Sequence, residues 1–248
     1  MAIRVTQACL ITEAPSIAAG NIRVTQACLI LEEPYFAMPI AYPLTPPAAL
    51  SPQEVTMRMM NLVAETISPF SGSQQEQQWA QWWEIEVAVR PYLRVDYEAI
   101  VGFLAALNGK YGSFLFGDHN AKTPQGVATG APTIGTGNAS GSNQVITAGW
   151  SASVAGILKA GDYLQWSAVN SLGVTVQRLH KVLFDANSDA GGNATFTIFP
   201  TIREAPSSGT SIITANTAGT FRLMENASEW KIARTRVGTI NFKAREVL

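Results

Sequence analysis

The strongest constraint in this chain is a change of hydrophobic period inside forty residues, Trp79 to Asp118. Trp83, Ile85, Val87 and Val89 alternate with Glu84, Glu86, Ala88 and Arg90, which predicts a strand with one buried face. Pro91 has no N–H to give to a ladder, so the strand is expected to end there. Tyr97, Ile100, Val101, Leu104 and Leu107 then fall at helical spacing and form one apolar stripe. Asn108-Gly109 supplies a left-handed stop. Ser113-Phe114-Leu115-Phe116 is short, aromatic and strand-like, and Gly117-Asp118 closes the unit. A single amphipathic helix between strands has to bury its stripe on a sheet.

The rest of the chain supports a mainly β class. Gly, Ser, Thr and Asn are abundant and no long helical pattern occurs. Charged residues are only 14% of the 248, against about 25% in average chains. So little charge suits an assembly subunit that hides much of its surface. The net charge of −1 gives no basic footprint for nucleic acid. No apolar run reaches the length of a membrane span, and the start Met-Ala-Ile-Arg-Val lacks the pattern of a signal peptide. Two cysteines make no disulfide framework. Two histidines leave little room for metal or acid–base chemistry, and no cofactor is expected.

The N-terminus holds a near-perfect repeat. Ile3–Glu13 returns as Ile22–Glu32 with one difference, Thr12 against Leu31. Each copy alternates as a strand, with Val5 and Cys9, then Val24 and Cys28, on one face. Three readings stand: a hairpin or edge-strand pair within one fold, an arm that adds strands to a neighbour, or a duplication with no structural role. Cys9 and Cys28 read as small buried hydrophobes. Pro34 to Pro52 is a proline-rich extended connection. Alternation from Glu54 onward favours a strand to Ile67, with Met57, Met59 and Met60 as core or as an adaptable contact surface. Ser68 to Gln78 reads as a loop. Trp79, Trp82 and Trp83 read as core and interface anchors.

After Asp118 the texture changes. His119 to Ser142 reads as linker and loop. Strands are expected at Asp162–Trp166, Val174–Phe184, Thr195–Phe199 and Ser211–Thr214, which suggests a small barrel. Two last strands are expected around Trp230–Ile232 and Ile240–Lys243, with a turn near Val237-Gly238.

Several motifs come close to chemistry. Asp185-Ala-Asn-Ser-Asp-Ala-Gly191 begins like a calcium loop, but Phe196 stands where the bidentate Glu belongs, so an Asx-rich turn is favoured. Asp118-His119 is half of an acid–base pair with no third member, and Asp118 reads as a turn former. Glu84 and Glu86 have a glycosidase-like spacing on what reads as a hydrated sheet face. No catalytic residues are assigned.

The order Trp82-Trp83-Glu84, strand, Pro91, helix, Leu107-Asn-Gly-Lys-Tyr-Gly112, Phe114-Leu-Phe-Gly-Asp118 resembles the distal tail proteins of long-tailed bacteriophages and related tail-like particles. In that family a Ser, Thr or Asp usually caps the helix; here Leu93 stands in its place. The resemblance implies a β-sandwich with one amphipathic helix (34–122 and 221–248), an inserted small β-barrel domain (123–220), and an N-terminal strand arm (1–33). It implies a non-enzymatic virion protein, assembled in the host cytoplasm. About six copies would form a ring joining the tail tube protein to the tail hub protein, near the tape measure protein. The expected interface residues are Val5, Cys9, Val24, Cys28, Trp79 and Trp82. The alternative is a carbohydrate-binding virion module that uses the tryptophans and the barrel for host adsorption. On this layout, excision of residues 143–219 is expected to leave a folded sandwich.

Overall fold

The computed structural model describes residues 40–232 and 237–248. The N-terminal repeat, with Val5, Cys9, Val24 and Cys28, lies outside the described residues.

The alternation around Trp83 produces a strand longer than its apolar core. β1 (Pro52–Ile67) and β2 (Gln74–Leu93) pair antiparallel from end to end. Trp83, Ile85, Val87 and Val89 are all buried, while the residues between them are half-buried on the other face. Two expectations are corrected here. Ser68 to Gln78 is not all loop, because strand resumes at Gln74. Pro91 does not end the ladder: β2 runs on to Leu93. The register with β11 (Val237–Glu246) shifts between Gly238 and Ile240, leaving Arg90-Pro91 at a bulge. A bulge residue is unpaired in the ladder, so the missing proline N–H costs nothing there.

Helix α1 (Arg94–Ala106) follows directly. Leu93 is its N-cap and makes no side-chain capping bond. Arg94 and Glu98 pair one turn apart at 3.2 Å, an exposed contact worth a few tenths of a kcal/mol. The end is built as the sequence predicts: Asn108 and Gly109 take φ of 51° and 64°, and Gly112 N–H closes onto Leu107 O at 2.8 Å. Tyr97, Ile100, Leu104 and Leu107 are buried against the sheet, and Val101 is half-buried. Gly238 sits in β11, not in a turn. A Cβ there would come within 2.8 Å of the Tyr97 ring, so the glycine is a clearance for the helix.

β3 (Phe114–Phe116), β9 (Gly219–Leu223) and β10 (Trp230–Ile232) complete the first sheet, in the order β1-β2-β11-β9-β3 with β10 on β11. Phe114 lies at the centre of its core, edge-on to Phe103 and Phe242. The second sheet is a curled half-barrel in the order β4-β5-β8-β7-β6. Its strands are β4 (Gly130–Ile134), β5 (Gln144–Trp150), β6 (Tyr163–Val169), β7 (Thr175–Val182) and β8 (Ala194–Phe199). β4 lies inside the stretch read as linker, and its Gly-Ala-Pro start hid it. Ser211 and Ile213 make single bridges to Thr133 and Gln165 in place of a full strand.

The two sheets share a wall. β6 is buried on both faces: Tyr163 enters the first core and Leu164 and Trp166 the second. Leu179 and Phe199 also belong to the first core. The Trp83 indole donates to Leu179 O at 2.9 Å and its ring meets Phe199 edge-on at 5.1 Å. Arg178 on β7 forks onto Glu204 and reaches Glu246 on β11 at 3.3 Å, as well as Val247 O. Burial pushes the Glu246 carboxyl upward, with Arg178 and Arg203 opposing that shift.

Candidate assembly interface

Only the near part of the β1–β2 ribbon rests on the body. Up to Met60 and Trp82 it belongs to the sheet; residues 61–78 are exposed except for the half-buried Ser68 at the turn. Seven residues of strand from Asn61 to Ile67 project it by about 20 Å. The register shifts between Leu62 and Val63: Leu62 faces Ala80 and Val63 faces Gln78, which leaves Trp79 as the extra residue of a bulge. The tip is well built. Ser68 and Gly72–Ser73 close it through Gly72 N–H to Ser68 O and Ser68 N–H to Ser73 O, both 2.9 Å. Ser68 Oγ accepts from the Phe70 and Ser71 amides. That turn holds Phe70 at the apex, 99% exposed. Leu62, Val63 and Ile67 are exposed along the shaft. A two-stranded ribbon alone is marginal in water, and β1 is a long edge strand that pairs only with β2 among the described residues.

Of the sequence-predicted interface residues, Trp79 and Trp82 fall on β2 at the root of this ribbon. Trp82 is half-buried and its indole N–H donates to Glu84 Oε1 at 3.0 Å. The sequence reading did not place Leu62, Val63, Ile67 and Phe70 on an exposed apolar surface. The Gln-rich return strand has no apolar alternation for a period-two reading to find. Its signal was its partner strand and the Ser-Pro-Phe-Ser-Gly turn between them.

The outer face of the first sheet is charged. Glu86 is paired with Arg58 at 2.8 Å and Lys243 at 3.5 Å. Glu84 and Glu86 are thus held by an indole, an arginine and a lysine, each with an ordinary structural role. Further across, Arg222 on β9 lies opposite Arg245 on β11. Both line a concavity of about 430 Å³ with Lys110, Met224 and Leu248.

The near-chemical motifs resolve into structure. Asp118 bonds to Tyr163, not to His119: the Tyr163 hydroxyl donates to Asp118 Oδ2 at 3.2 Å and accepts from Lys181 Nζ at 3.0 Å. Asp118 Oδ1 takes the Asn120 amide at 2.9 Å, so it is also the turn former expected. Burial and the neighbouring Asp118 carboxylate raise the Tyr163 pKa, which keeps the phenol protonated as a donor. His119 lies against Phe116, and burial and Lys122 lower its pKa. In the calcium-like loop, Asp189 Oδ1 takes the amides of Gly191 and Asn193 at 2.8 Å, which lowers its pKa. Asp185 and Asn187 each bond a different backbone N–H. The oxygens are spent on turns and do not converge. Among the described residues no group of three His, Cys, Asp or Glu side chains is placed to hold a metal. No helix among them is long and apolar enough to cross a membrane.

Three tryptophans are core: Trp83, Trp150 and Trp166. Trp230 is 46% exposed and borders a cleft with Asn108 and Asn226. The fold and surface together define a mainly β protein of two antiparallel sheets with a projecting ribbon. No protein-family model and no curated protein matches the chain.

Proposed function

We propose that this chain is a structural, non-enzymatic subunit of a homo-oligomeric ring at the distal end of a phage tail, where it joins the tail tube to the hub. The observation that carries the reading is the exposed ribbon 61–78, whose apolar tip and shaft have no packing of their own. A monomer has no use for such an element; a neighbour's surface gives it one. The resemblance of the Trp79–Asp118 unit to distal tail proteins supplies the particular assembly. The low charge content agrees with it. In this reading the repeated strands, with Val5, Cys9, Val24 and Cys28, and the ribbon root, with Trp79 and Trp82, serve as contacts with neighbouring subunits or with the tube. The test is electron microscopy of the purified full chain. Rings with about six-fold symmetry are expected; a field of monomers contradicts the proposal.

A second reading, a carbohydrate-binding virion module, keeps one observation: Trp230 exposed beside the amides of Asn108 and Asn226. Binding on a glycan array that is lost in Trp230→Ala, without ring formation, would favour it.

A further inference from the structure

The ribbon and the sheet each carry a like-charge pair of opposite sign. Glu65 and Glu76 stand directly opposite each other on the ribbon. Glu76 accepts from Gln74 at 2.8 Å, and neither carboxylate has a cation partner among the described residues. Val63 and Ile67 flank Glu65 on the same face, two residues away on either side. The ribbon from 61 to 78 contains no Lys or Arg. On the sheet, Arg222 and Arg245 stand directly opposite each other, exposed, with Lys110 nearby and Met224 and Leu248 in the same concavity. Arg245 also lies opposite Glu84, but that carboxylate takes the Trp82 indole and forms no ion pair with it. Like charges at opposed positions destabilise a sheet, so each pair costs its own chain stability.

We infer that the ribbon of one copy docks on the Arg222–Arg245 face of a second copy, with Glu65 and Glu76 meeting the two guanidinium groups. Opposed residues in antiparallel strands stand about 4.5–5.5 Å apart at Cα, so two carboxylates meet two arginines at a comparable spacing. Arginine receives carboxylate through two parallel N–H bonds. Val63 and Ile67 then cover Met224 and Leu248. A single chain cannot make this contact with itself. Glu84 is the residue level with Arg245, and Glu76 lies eight residues before it, about 27 Å along the strand. Donor and acceptor are different surfaces of one chain, so the contact is head-to-tail and generates a ring when its rotation closes. The inference rests on the assembly reading above and names the contact that makes the ring.

Charge reversal tests it on the full chain by sedimentation velocity. Glu65→Lys/Glu76→Lys and Arg222→Glu/Arg245→Glu should each weaken self-association at least tenfold, and added salt should weaken the wild type. Mixing the two variants should restore assembly, because the cationic ribbon of the first fits the anionic face of the second and the anionic ribbon of the second fits the cationic face of the first. Neutral variants, Glu65→Gln/Glu76→Gln and Arg222→Gln/Arg245→Gln, should weaken association without new repulsion. A wild type that assembles, with every variant assembling equally well, overturns the ribbon contact and leaves the ring. Variants that fail alone and fail mixed overturn it too. A wild type that stays monomeric overturns the assembly reading, and the contact with it.

Discussion

At the residue scale, His180 is the group that ties stability to pH. It is buried, stacked on Trp166 at 4.1 Å, and its Nδ1 lies 2.7 Å from Pro200 O. Since that oxygen can only accept, Nδ1 donates to it. Burial, with Arg178 and Arg203 nearby, holds its pKa down to about 3 against the ordinary 6.5. In the unfolded chain it binds a proton below about 6.5, and in the fold only near 3. The unfolded state therefore binds more protons between those values, and stability falls as pH drops through that window. The contribution is on the order of a few kcal/mol. His180→Gln should remove it: the thermal midpoints of wild type and variant should converge as pH falls from 7 to 4. Parallel curves would contradict this. His180 is one of only two histidines in the sequence, and the sequence reading assigns it no role. Its stacking partner and its carbonyl lie on other segments, so no local pattern reveals its role.

At the element scale, the helix is the part most legible in the sequence. Its stripe, its uncapped start at Leu93 and its Asn-Gly stop are local facts, and the structure reproduces each. Leu104→Ala should cost on the order of 2–5 kcal/mol, because the residue is buried in the first core. A denaturation midpoint left in place would mean that the helix is peripheral. The ribbon was half legible. Alternation found β1 and the apolar half of β2, whereas the Gln75–Gln78 return is polar on both faces and follows its partner strand. Pro91 misled for a related reason: a proline ends a ladder only where an N–H is needed, and the bulge that excuses it depends on β11, more than 140 residues later. The like-charge pairs were not legible either. Glu65 meets Glu76, and Arg222 meets Arg245, only through strand register.

At the scale of the whole molecule, the two sheets do not separate cleanly. Excising residues 143–219 would uncover Trp83, which loses both Leu179 O and Phe199. It would also leave Glu246 buried with no Arg178, and breaking a buried pair from one side costs about 3–5 kcal/mol. The remainder should therefore lack a cooperative unfolding transition. A sharp transition in that remainder would show that the shared wall is dispensable. The sequence pattern suggested separable parts because strand order along the chain says nothing about which faces a strand buries. β6 is buried on both faces since it serves two cores, with the polar Gln165 on the same face as Tyr163.

The central claim is that the chain works as one subunit of a closed ring built from exposed strands. Native mass spectrometry of the purified full chain at near-neutral pH and low salt tests it most directly. The account predicts a dominant species near 160 kDa, about six times the 26.6 kDa of one chain. A single peak at the mass of one chain, unchanged as protein concentration rises, would contradict it.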